Sequence, residues 1–215
     1  MSYKFTRFGD FMEEERILKE MAIAGYGDWK PSKEMIGSIT KFILDKNWEY
    51  KGTETLKGTV YRIYKQKNVY IAGYFMENSE GKLELEVDFE IKLSQHNSIA
   101  RVFKINKPLM NVDGVRVQET AQGYGIATMM YKYLVKKEDV IILGDEVQYF
   151  GARRLWSKLS QQVDVRVDII DLESEKVLEK DVILKHGTED WEFDNRVWSY
   201  NYDKKHIRLI LKEIK

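Results

Sequence analysis

From Leu83 to Leu93 the chain alternates without a break. Leu83, Leu85, Val87, Phe89, Ile91 and Leu93 are apolar, with Glu84, Glu86, Asp88, Glu90 and Lys92 between them. Successive side chains of a strand point to opposite faces, so this pattern predicts a strand with one buried face and one charged face in water. The acidic row is read as a solvated outer face rather than as an attractor of cationic substrates. The same period of two predicts strands at residues 60–64 and 69–76, joined through Gln66, Lys67 and Asn68. After the polar turn Gln95-His96-Asn97-Ser98, residues 99–104 are expected to pair back onto the long strand. Residues 112–117 form a further strand, beyond the interruption at Pro108.

Elsewhere the period lengthens. An opening strand at residues 3–8 is followed by a predicted helix over 11–24, with Asp10 as its cap and Gly25 and Gly27 at its end. A second helix starts at Pro31 or Ser32 and carries Met35, Ile36, Ile39, Phe42 and Ile43 to about Lys46. Residues 127–136 read as a helix, the wholly apolar run 140–143 as a central parallel strand, and 148–159 as another helix. Strand, glycine turn, helix, strand and helix make an α/β crossover unit. The remainder is strand-rich. Val163, Val165, Val167 and Ile169 alternate, residues 176–184 return as a hairpin partner, and 197–202 pair with 207–211.

The expected fold class is therefore α/β, a layered α+β arrangement with a mixed central sheet and flanking helices. One domain spans 1–215: an N-terminal strand and helices (1–55), a core (56–162) and a strand-rich extension (163–215). The 215 residues, 43% of them apolar, suffice for one core. Lys+Arg and Asp+Glu both number 35, so no long-range field concentrates nucleic acid or an anionic membrane, and nucleic acid would need a local patch. The absence of cysteine excludes disulfides, thiolate metal sites and cysteine nucleophiles. His96, His186 and His206 lie far apart without metal-ligand spacing, so no metal is expected. No apolar run approaches the ~20 residues needed to span a bilayer, and residues 1–8 lack the core of a signal peptide, so a cytoplasmic protein is expected.

The most informative chemistry lies where Val115, Arg116 and Val117 run into Gln118-Glu119-Thr120-Ala121-Gln122-Gly123-Tyr124-Gly125-Ile126-Ala127. A helix start has unpaired amides and a positive dipole end, and glycines let an anion approach without a Cβ in the way. The order of elements and this turn resemble the GNAT superfamily, the general N-acetyltransferases. Their cofactor motif is Gln/Arg-x-x-Gly-x-Gly/Ala, and Gln122 to Ala127 fit each fixed position. A second family element, Asn-x-x-Ala-x-x-Leu-Tyr, is matched by Ala152 and Leu155, while Tyr149 replaces the asparagine and Trp156 the tyrosine that many members use as an acid. The stretch Leu143-Gly144-Asp145-Glu146-Val147-Gln148 is similar to a GNAT-like subgroup associated with bacteriophages. The likeness covers roughly residues 59–159.

The resemblance implies a GNAT-like acyl-CoA N-acyltransferase fold that binds acetyl-CoA and acetylates an amine on a small molecule, protein or modified nucleotide. Amides of Gly123, Tyr124, Gly125, Ile126 and Ala127 would take the pyrophosphate, Gln122 would close the turn, and Val115 to Val117 would align the thioester and its oxyanion. The amine must lose a proton, and Glu119 is the preferred base with Asp113 as the other candidate, a solvated loop residue and a turn residue being their plainer readings. Tyr149 is a candidate acid. An indole cannot replace a phenol as proton donor, so Trp156 also admits a catalytically silent GNAT-fold binding or inhibitory protein, host-directed if phage-encoded. The aromatic C-terminal segment, with Trp191, Trp198, Tyr200 and Tyr202, closes the core or forms a homodimer contact.

Overall fold

A computed structural model describes residues 47–77, 79–80, 83–146, 150–185, 194–198 and 203–214. The strand expected at 3–8, the helices at 11–24 and 31–46, Tyr149, Trp191 and residues 199–202 lie outside them. The described chain is α+β, with mixed β-sheet and few helices. It divides into two compact units, Met1–Glu90 with Val117–Gln122, and Ile91–Arg116 with Gly123–Lys215.

In the first unit β1 (Glu49–Leu56), β2 (Thr59–Gln66), β3 (Val69–Glu77) and the leading part of β4 (Leu83–Gln95) lie side by side in chain order. β1 and β2 are antiparallel, with Leu56 opposite Thr59. Their connection is the two-residue turn Lys57-Gly58, in which φ is 51° and 87°. Positive φ at both positions matches the twist of the flanking strands, and glycine takes it without strain. Tyr64, Ile71 and Phe75 form a core against Trp48, Tyr50, Val69, Leu85 and Val87. The polar face of β4 departs from the expected solvated row at Asp88, which is buried and accepts a hydrogen bond of 2.8 Å from the Tyr61 hydroxyl. A buried carboxylate needs such a donor, and an aromatic two strands away supplies it.

In the second unit the strand order is the trailing part of β4, then β5 (Leu109–Val117, up to Arg116), β6 (Ile141–Leu143), β9 (Ile207–Glu213), β7 (Val165–Asp171) and β8 (Lys176–Glu179). Residues 99–104 are not a strand. Asn97–Val102 form a short helix, α1, closed by Phe103 N–H donating to Ile99 O (3.1 Å) and ended at Lys104, whose φ is 51°. Ile99, Ala100 and Phe103 instead follow one side of a helical turn and cover Leu109, Ile141, Leu143, Ile170 and Ile210. α2 (Ile126–Lys137) carries the chain from β5 to β6, which pair in parallel. All three residues of β6 are buried, as an apolar run in a parallel sheet requires. α3 (Phe150–Ser160) follows.

The C-terminal pairing also differs from expectation. β9 lies between β6 and β7, antiparallel to both, and of the partner strand expected at 197–202 only Val197 and Trp198 are described. Val197 sits instead in a turn in which the amides of Val197 and Trp198 donate to Asp194 O (3.2 and 3.1 Å). Leu209, Ile210 and Leu211 are all buried, and a strand paired on both edges hides them better than a terminal hairpin would. Trp198 is buried, with the Arg153 guanidinium 6.0 Å from its ring centre. β8 ends at Glu179, short of the expected 184.

Candidate functional site

Leu109–Asn111 of β5 are registered on Ile141–Leu143, and β6 ends there. The next residues of β5, Asp113, Gly114, Val115 and Arg116, are exposed. The carboxyl end of a parallel pair is where α/β sheets collect functional groups, because the strands part and the loops lead away. In the first unit, Gln118 N–H donates to Asp88 O (2.9 Å), Glu119–Ala121 make one 3-10 turn, and Gln122 Nε2 reaches Val117 O at 3.4 Å. Ala121 is buried and Glu119 is exposed on the turn.

In the second unit, Gly123 and Gly125 have φ of 80° and 101°, and Gly125 is the N-cap of α2. These are the left-handed values that favour glycine. Among the described residues no side chain caps the helix, no acid stands in its first turn, and Lys136 and Lys137 stand in its last. The positive end of the helix dipole lies at this glycine turn. A Cβ on Gly123 would meet nothing within 4 Å among the described residues. Ile126 is buried, Ala127 half-buried and Tyr124 exposed. These residues suit a phosphate-bearing cofactor.

A polar cluster gathers in the second unit where β5, β6 and β9 meet. The buried Arg208 guanidinium donates from Nε to Gly144 O (2.6 Å) and from Nη2 to Asn111 Oδ1 (2.8 Å), while Nη1 lies 3.8 Å from Glu146 Oε1. Burial lowers its pKa, against the pull of Glu146 and Asp145. Asn111 Nδ2 donates to Asp113 Oδ1 (3.1 Å), and Ser94 Oγ donates to the same oxygen (2.7 Å). Nearby on α2, Tyr131 is buried, and desolvation together with the Asp145 charge pushes its hydroxyl pKa up, so it keeps its proton. Its ring meets Trp156 edge-on, with centroids 6.1 Å apart, and Trp156 is 2% exposed. Trp156 is a packing residue.

Of the residues expected to carry chemistry, Asp113 enters this cluster, Glu119 belongs to the first unit, and Tyr149 lies outside the described residues. Sequence reading missed Ser94, Asn111 and Arg208. Arg208 had a signal: it is a charge within the apolar run Ile207 to Leu211. Among the described residues, no group of three His, Asp or Glu side chains could hold a metal ion, and no helix is long and apolar enough to cross a membrane. The chain matches no family model, and no curated protein or solved structure is significantly similar to it.

Proposed function

We propose that this chain is an acetyl-CoA-dependent N-acetyltransferase of GNAT type, acting in the cytoplasm on an amine acceptor. The observation that carries the reading is the start of α2. Two glycines in left-handed backbone lead into a 12-residue helix without a side-chain cap among the described residues, one 3-10 turn after a strand in parallel pairing with the next. Amides of Gly123, Tyr124, Gly125, Ile126 and Ala127 would hold the pyrophosphate, and the exposed Val115 edge would lie along the acyl arm. Bound acetyl-CoA supplies the activated acyl group. The chain's own part is to bind it, orient it and take a proton from the amine. Asp113 is the better placed base, because its carboxylate is oriented by Ser94 and Asn111, while among the described residues Glu119 has no such setting.

Isothermal titration with acetyl-CoA and with CoA tests the reading. Micromolar binding is expected for the wild type, and loss of it in Gly125→Glu, which sets bulk and negative charge where the phosphates lie. Unchanged affinity in a folded Gly125→Glu would remove the cofactor site. The second reading, a silent GNAT-type binding protein, is favoured by the burial of Trp156 where the resemblance calls for an acid. It calls for CoA binding without transfer to any amine.

A further inference from the structure

The position of Arg208 in the polar cluster is not explained by folding alone, since a leucine or isoleucine would suit a central strand whose neighbours Leu209, Ile210 and Leu211 are buried. Arginine only donates, and an ionised aspartate only accepts. Asn111 stands between them and does both: its oxygen takes the Arg208 hydrogen bond and its nitrogen serves Asp113. Arg208 therefore acts with the Val112 carbonyl, which accepts from Asn111 Nδ2 at 3.3 Å, to set which way the amide faces. If the amide turned over, two donors would meet at Arg208 and two acceptors at Asp113. Ser94 and Asn111 together hold Oδ1, and among the described residues Oδ2 accepts no hydrogen bond.

We infer that Arg208 is a positioning residue which, through Asn111, holds Asp113 with Oδ2 presented as proton acceptor for the amine substrate. The inference rests on the acetyl-transfer reading above. The ammonium gives one proton to Oδ2. The amine nitrogen then forms a bond to the acyl carbon as the carbon–sulfur bond breaks. A second proton leaves the nitrogen for solvent, and the departing thiolate takes one proton from water. Asp113 later returns its own proton to solvent, so one proton is released per turnover. Asp113 is exposed and Arg208 is not, which suits one to exchange protons and the other to stay fixed.

The test measures transfer from acetyl-CoA to spermidine, lysine and butylamine by the wild type, Asp113→Asn, Arg208→Gln, Asn111→Leu and the double variant Asp113→Asn/Arg208→Gln. Acetyl-CoA affinity and Tm are followed alongside. Removing the base is expected to lower kcat by about 10²-fold or more. Arg208→Gln and Asn111→Leu are each expected to lower kcat by about tenfold to a hundredfold with acetyl-CoA affinity unchanged. The double variant should be no slower than Asp113→Asn, because residues acting as one unit are not additive. Asn111 is only half-buried, so its variant reads the same relay if Arg208→Gln does not fold. Additive losses, or variants that lower Tm alone, overturn the inference and leave acetyl transfer standing. Acetyl-CoA binding without transfer to any of the three amines overturns it in favour of a silent scaffold. A wild type that binds no acetyl-CoA removes the functional reading and the inference together.

Discussion

Gly73 on β3 has no room for a side chain. A Cβ there would lie 2.2 Å from Glu86 O and 3.2 Å from Val87 Cα, which are backbone atoms of β4 that cannot swing aside. Gly73→Ala should therefore destabilise the fold by about 1–3 kcal/mol, read from the denaturant midpoint at constant m. The Tyr61–Asp88 pair gives a second residue-scale case. Burial first, and the Asp88 hydrogen bond and charge next, raise the Tyr61 pKa. In the unfolded chain this hydroxyl ionises near pH ~10. Its contribution to stability is thus whole below about pH 10 and falls as pH rises above it, since only the unfolded form loses the proton readily. Tyr61→Phe should make the alkaline decline shallower, the buried Tyr131 keeping its own share, and cost about 1–3 kcal/mol at neutral pH, because the Asp88 carboxylate stays buried without its donor. Thermal melts at pH 7 and pH 10.5 check both; a variant as stable as the wild type at pH 7 would deny the pair its role.

Among elements, those with a strong local period were legible. β2, β3, β4, α2, β6 and α3 fall close to the bounds that alternation, helical spacing and the glycine turn suggest. Residues 99–104 were misread because so short an apolar run carries either period, and packing onto Leu109 and Ile210 decided for a helix. The segment after β8 is tied down by charge. Asp194 is buried, which pushes its carboxyl pKa up, but hydrogen bonds from Arg196 and the amides of Lys185 and Arg196 outweigh this and hold it below the usual carboxylate range. Arg196 also grips both oxygens of Glu179 at 2.8 Å, joining the segment to β8. With its folded value below the unfolded ~3.9, Asp194 stabilises above about pH 4, and this is lost as pH falls through the folded value. Asp194→Asn should lower Tm at pH 7 and narrow its gap to the wild type near pH 2; a gap constant with pH would contradict the assignment.

For the whole molecule, a ligand bound only by the folded state raises its stability by mass action. Acetyl-CoA at about 100 times Kd would add about 2.7 kcal/mol, a Tm rise of about 5–10 °C for a chain of this size, and Gly125→Glu should show none. By itself the sequence determined the alternating strands, the crossover through α2 and the glycine positions, because backbone period and the need for positive φ are written in adjacent residues. Only the tertiary structure decided that β9 enters between β6 and β7, that Asp88 is buried under Tyr61, and that Arg208 meets Asn111 across 97 residues of chain. Those outcomes depend on strand order and register, which follow from how distant apolar faces are best buried together and leave no mark on local pattern.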